Sequence, residues 1–521
     1  MIISGMKKIA CMLSIASVLS ACGGGGGGSG SDIPDTNNPG QLSCLSNFAE
    51  GANDWAEYED NRGSLIFASN QFKTLNRYDF GTDQFQFIGG TTTDPGLIDV
   101  SPSSTGRYVR YGIDPPFTSR STYTTVDVTN SQEYTTGAIS LVGDFIWAPD
   151  DQSSFMDVMF FKLFRIGSPV APPEDTIARQ FLDIRVVSWT SDGSQALLVG
   201  DQQLIVISAR SGEVLRQIQP SFDDGSFIVG HAALSPDGSK VAFVESTRSD
   251  RSIYVLDIAT GTISRISSMN GQLAWSPSSK YIAFDFYNND QHNSDLKLYT
   301  LATETLDTLS DTNRGLLAFE WAPDKDLLAY SEQPAGGQGK FTMRNYQDDS
   351  ASTTPIDRTV TSFKWSPDSR YVAFMSSDAD RNRNLFVGDP VNRCAMSLDN
   401  VYTSGQSTRP DAFSWSPSGK YLYYSVADNS GSVEHIVTTA NGAEVTNITP
   451  LITDENMSTQ TGRPQWLPTA DVLFSIQNSE SSNATVDGFI WLNINSLTSI
   501  SFNIDDPGRP ASGQGTYWLR P

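Results

Sequence analysis

Residues 232–243 read AALSPDGSKVAF, residues 273–284 LAWSPSSKYIAF, residues 363–374 FKWSPDSRYVAF and residues 413–424 FSWSPSGKYLYY. In each, a short apolar run ends on Leu or Trp, a Pro-containing turn follows, and a second apolar run carries an aromatic nine positions after the anchor: Phe243, Phe284, Phe374 and Tyr424. Pro presets φ for a tight turn, and Gly tolerates the positive φ that such turns need. The pattern is two antiparallel strands joined tightly. Further copies occur at 97–102 (LIDVSP), 145–150 (FIWAPD), 187–194 (VSWTSDGS), 319–330 (FEWAPDKDLLAY) and 464–474 (PQWLPTADVLF). The anchors are Val100, Trp147, Trp189, Leu234, Trp275, Trp321, Trp365, Trp415 and Trp466, spaced by 47, 42, 45, 41, 46, 44, 50 and 51 residues. A recurring period of this length signals a propeller or a solenoid.

Each unit reads as a four-stranded antiparallel blade. After the second strand a polar loop leads to a third, such as Ile253–Asp257 or Leu204–Ile207, and a small turn (Ala259-Thr260-Gly261, Arg210-Ser211-Gly212) leads to a weaker fourth. No segment sustains a helical apolar period. One blade cannot bury both its faces, so the blades must stack around an axis. The fold class is all-β, a β-propeller, with the recurring Trp and aromatic packed between blades as structural anchors. The ends fit a ring. Residues 64–90 read as later strands of a blade without an opening motif, while Gly515–Pro521 reads as an opening strand with nothing after it. Its Trp518 stands 52 residues beyond Trp466, in register. The C-terminal strand is therefore expected to complete the N-terminal blade, giving up to ten blades. The alternative is a seven- or eight-bladed ring with residues 46–180 as a separate β-rich region.

The W-S-P-D-G opening resembles the TolB-like propeller repeat, strongly from Trp189 to 476 and weakly before it. That resemblance implies an envelope compartment and a protein-binding role. The chain departs from TolB in having extra blades and no recognisable α/β domain ahead of them.

Residues 1–22, MIISGMKKIACMLSIASVLSAC, place Lys7 and Lys8 before an apolar run too short to span a bilayer as a mature helix. The run ends in Leu19-Ser20-Ala21-Cys22, which resembles the lipobox of bacterial lipoproteins, in which the peptide is cut before the Cys and the thiol is lipidated. Six glycines (Gly23 to Gly28) and a polar stretch follow, suited to a flexible tether. The expected divisions are 1–21 signal peptide, 22–45 tether and 46–521 propeller. Two or more acyl chains would hold the protein on a bilayer, and by the same resemblance Gly23 favours the outer membrane, facing the periplasm. With Cys11 removed and Cys22 lipidated, Cys44 and Cys394 are left as a possible disulfide pair in an oxidising compartment. Two unrelated buried thiols are the alternative.

Composition narrows the partners. The 521 residues carry 35 Lys and Arg against 59 Asp and Glu, a formal net charge of −24, which argues against nucleic acid or an anionic lipid surface. Only 3 His are present, at 231, 292 and 435, without ligand spacing. No Gly-x-Ser-x-Gly occurs, as a hydrolase domain of the kind that accompanies some propellers would need. No catalytic residue and no cofactor are assigned. The weak metal candidates are Asp378, Asp380 and Asn382 in one polar loop and Asp290 and Asp295 in another, where alternating oxygen ligands are arranged somewhat like a calcium loop; Arg383 takes the place where that loop needs Gly. The loops joining second to third strands (246–251, 286–295, 332–340, 376–384, 427–432 and 477–487) emerge on one side of a ring and are the expected binding surface. The reading is a non-enzymatic, lipid-anchored scaffold that binds envelope proteins. The alternatives are a glycan-binding or adhesive surface lipoprotein and a propeller hydrolase or lyase working in the central channel.

Overall fold

In the computed structural model, the repeat motif forms the first two strands of nearly every sheet. The described residues lie between Ser64 and Leu519, with breaks of which the longest are 91–96, 114–119, 166–184, 220–228, 399–406, 453–463, 479–485 and 504–516. All of them belong to the unit Thr36–Pro521. Among the described residues the strands make ten antiparallel sheets. Blade one takes Ser64–Ser69, Thr74–Asp79 and Gln84–Gly90, and blade two takes 97–135 with a short extra strand Ile139–Ser140 beside its third. Blade three has three described strands between Phe145 and Arg165. Blades four to ten are four-stranded: 185–218, 229–268, 273–308, 314–356, 359–397, 407–447 and 465–503. The one described α-helix is the short Thr449–Ile452, after blade nine.

The ring closes as the sequence predicts. Tyr517–Leu519 pairs antiparallel with the first strand of blade one, Leu65 opposite Trp518 and Ile66 opposite Tyr517. The chain's last described strand thus supplies the hub-side opening strand of its first blade, and a free sheet edge disappears. The fold is a β-propeller, with ten sheets in place of the seven or eight of the alternative reading.

First strands of blades four to seven, and of blades eight and nine, contact one another in turn, which puts them at the hub. Cores lie between blades. Leu197, Val199, Leu204 and Val206 of blade four pack against Leu234, Val241, Phe243 and Leu256 of blade five, and the same arrangement recurs between blades five and six, six and seven, seven and eight, eight and nine, and nine and ten. The aromatics nine positions after the anchor (Phe243, Phe284, Tyr330, Phe374, Tyr424) are all at most 2% exposed. Burying such a side chain contributes about 2–3 kcal/mol.

The anchors do more than fill space. The Trp275 indole N–H donates to the carbonyl of Ala233, Trp321 to Ala274, Trp365 to Glu320, Trp415 to Lys364 and Trp466 to Ser414, at 3.0–3.3 Å. Each acceptor is the residue just before the anchor of the preceding blade. A ladder of indole hydrogen bonds therefore runs along the hub from blade five to blade ten.

Candidate functional site

The two rims of the ring differ in chemistry. One carries the Pro-containing turns, and these are internally satisfied. In five blades the Ser or Thr after the anchor accepts the backbone N–H five residues on: Thr190 from Gln195, Ser235 from Lys240, Ser276 from Tyr281, Ser366 from Tyr371 and Ser416 from Tyr421, at 2.9–3.1 Å. In three blades that hydroxyl also donates to the turn Asp: Thr190 to Asp192, Ser235 to Asp237 and Ser366 to Asp368. The Ser194 N–H, with the hydroxyls of Thr190 and Ser194, holds the Asp192 carboxyl down at about 2.

Successive turns also bond to each other. The Asp237 N–H donates to Ser279 Oγ at 3.1 Å and the Asp324 N–H to Ser369 Oγ at 2.9 Å. Ser278 gives its N–H and hydroxyl to the two oxygens of Asp326, and Ser418 does the same to Asp471. Ser103 Oγ donates to Asp151 across blades two and three. These polar groups bond to neighbouring blades.

The opposite rim carries the second-to-third-strand connections, of which the middle of each from blade five to blade ten lies outside the described residues. Asp378, Asp380, Asn382 and Asp290 fall there. Asp295 does not belong to a loop: it is buried within the strand Asn293–Thr300, opposite Phe286, because the two flanking strands extend to Asn288 and back from Asn293. This corrects its grouping with Asp290. Among the described residues no three of His, Cys, Asp and Glu are placed to share a metal ion.

Towards this rim the first strands are irregular. Register shifts interrupt them between Ile98 and Ser101, Val186 and Ser188, Val229 and Ala232, Leu316 and Ala318, Val360 and Ser362, and Thr408 and Phe413. Bulges re-aim side chains and free backbone groups. Exposed residues on or beside these first strands are His231, Gln272, Leu317, Glu320 and Lys364. Glu320 is exposed by surface area yet lies among enough protein atoms that desolvation pushes its carboxyl up, against the field of Lys364 on the next blade.

Blade six solves the same stretch differently. Burial raises the Asp285 carboxyl, while the backbone N–H groups of Gly271 and Gln272 donate to it and the fields of His231 and Arg251 oppose the rise. Gly271 leaves room for this contact, since a Cβ there would press on the Asp285 carboxylate and oblige it to move. Sequence reading missed Asp285. Its signal was an acid at a strand position where blades five, seven, eight and nine carry Val244, Ser331, Met375 and Ser425. The hub wall of blades five to eight is thus polar and of mixed charge, fit for hydrogen bonding to a polar ligand.

Of the cysteines, Cys394 is disulfide-bonded, whereas Cys11, Cys22 and Cys44 lie outside the described residues. Among the anchors, Trp147, Trp275, Trp321, Trp365 and Trp415 are buried, and Trp189 and Trp466 are partly so.

Residues 224–449, which hold blades five to nine, match the family model of the TolB beta propeller domain. Over these five blades the propeller is similar to that domain. No curated protein sequence matches the chain. Solved structures similar to it include a eukaryotic initiation factor (12% identity, TM-score 0.43, covering 74% of this chain and 95% of that one). A dipeptidyl peptidase 4 from Porphyromonas gingivalis is similar at 10% identity and TM-score 0.42, covering 73% of this chain and 63% of that one. TolB from Acinetobacter baumannii is similar at 16% identity and TM-score 0.25, covering 64% and 78%.

Proposed function

We propose that this chain is a lipid-anchored propeller of the bacterial cell envelope that binds other envelope proteins as a non-enzymatic scaffold, held by lipid on Cys22 at the outer membrane and facing the periplasm. The observation that carries the reading is the contrast between the rims. The turn rim uses its Ser, Thr and Asp groups on adjacent blades, whereas the other rim joins bulged inner strands to connections of varied length. Loops on a rigid frame are where recognition residues collect. The TolB-like match over residues 224–449 supports the compartment, and the net charge of −24 directs the choice towards a protein partner in place of a polyanion.

The test is photo-crosslinking in intact envelopes from single positions on each rim. The reading expects adducts with an envelope protein from the second-to-third-strand loops and none from the turns around Asp324 and Ser418. Adducts from the turn rim alone, or none from either, would sink it.

A further inference from the structure

Between blades six and seven the apolar layer is interrupted by polar groups that neither rim uses. They stand on Lys340–Asn345, the third strand of blade seven, and just past its end. Side chains two residues apart share a face, so Thr342, Arg344 and Tyr346 point the same way. That face meets blade six. The Arg344 Nη2 donates to the Leu309 carbonyl and its Nε to Tyr330 Oη, both at 3.3 Å. The Tyr346 ring packs against Tyr281, 5.3 Å between centroids.

The cluster is under-satisfied. A charge-assisted hydrogen bond is about 2.7–2.9 Å long, so both Arg344 bonds are weak, and Nη1 is left for another acceptor. Among the described residues no carboxylate pairs with Arg344. Thr342 is 1% exposed and its Oγ1 has no hydrogen-bond partner, nor has the buried Oη of Tyr346. Burial pushes the Tyr346 phenol up to about 12, and Arg344 opposes that rise from close by. Buried polar groups are as a rule bonded and buried charges paired. Two hydroxyls and a half-buried cation on one face thus lack the same thing, an acceptor with two oxygens.

We propose that Thr342, Arg344 and Tyr346 form a binding site for a small carboxylate in the seam between blades six and seven. The planar guanidinium fork matches the two oxygens of one carboxylate, and the two hydroxyls donate to its remaining lone pairs. A singly charged ligand is selected over phosphate. Asp307, exposed on the fourth strand of blade six, puts a negative field on Tyr346, and the net charge of −24 repels a dianion more. The site is separate from both rims and does not depend on the scaffold reading.

The test is isothermal titration of the full chain with acetate and, separately, with inorganic phosphate, at constant ionic strength made up with chloride. Acetate should bind saturably at a single site and more tightly than phosphate. Arg344→Gln should abolish that binding, and Tyr346→Phe should weaken it about fivefold, the contribution of one hydrogen bond. Thr342→Val keeps the shape and drops an unsatisfied hydroxyl, so the free protein should melt no lower than the parent while acetate binds about fivefold more weakly. Asp307→Asn should bind acetate more tightly. No saturable binding by the parent, or phosphate binding tighter than acetate, overturns the proposal. So does undiminished binding by both Thr342→Val and Tyr346→Phe, a result that stays readable if Arg344→Gln fails to fold. A lower melting temperature for ligand-free Asp307→Asn would make Asp307 the partner of Arg344, which also overturns it.

Discussion

Ser279 and Ser369 stand in the left-handed region, with φ of +62° and +54°, at the turn position where Gly193, Gly238 and Gly419 stand in other blades. A side chain there costs about 1–2 kcal/mol, and each Ser hydroxyl offsets it by accepting an N–H from the preceding blade. Ser369→Ala keeps the strain and loses the bond, so it should lower stability by about 1–2 kcal/mol in denaturant unfolding. Ser369→Gly, relieved of the strain, should cost clearly less. A second residue sets a pH dependence. His435 is buried, Tyr423 Oη lies 2.7 Å from its Nδ1, and burial lowers its pKa from 6.5 to about 4. Between those values the unfolded chain binds a proton that the folded one refuses. Its contribution is full above pH 6.5 and is lost as pH falls towards 4. Stability should drop by about 2 kcal/mol from pH 7.5 to 5, a slope that His435→Gln removes. Sequence could place the Ser and Gly of each turn, because the turn demands them. It could not show what the Ser hydroxyl touches, since the partner is a backbone N–H that every residue but Pro has, nor that His435 is buried.

Between blades, the same logic separates what was legible from what was not. Trp and aromatic anchors recur because each must fill one inter-blade layer, and a period of 41 to 52 residues exposes them. The indole ladder leaves no sequence trace, because its acceptors are carbonyls of Ala233, Ala274, Glu320, Lys364 and Ser414, unlike residues sharing one backbone position. The carboxylate relays are partly legible, as an Asp five residues after Trp321 and Trp466 answers a Ser three residues after Trp275 and Trp415. Burial ranks them. Asp326 is 8% exposed and Ser418–Asp471 lies more open. Ser278→Ala, which keeps the backbone N–H but takes the hydroxyl donor from the buried Asp326 carboxylate, should destabilise by about 2 kcal/mol, and Ser418→Ala by less than 1. Melting curves of the two variants check the order.

At the scale of the molecule, a repeat count of nine anchors plus one terminal strand foretold ten sheets and their closure, because a ring needs its first blade completed from its last residues. The loops that would name a partner were not legible, since polar connections of free length obey no packing rule. Anchoring is tested by fractionation: Cys22→Ser should move the protein from membranes to the soluble fraction, and its retention in membranes would remove the lipid from the account. A scaffold that presents one rim must first be a closed ring, and three residue pairs close it, Ser64 with Leu519, Leu65 with Trp518 and Ile66 with Tyr517. The direct measurement is thermal unfolding of the chain with residues 515–521 deleted. Closure predicts a melting temperature several degrees lower for the propeller as a whole, with blades one and ten the first to lose hydrogen-exchange protection. An unchanged melting temperature and unchanged protection would show that the ends do not meet.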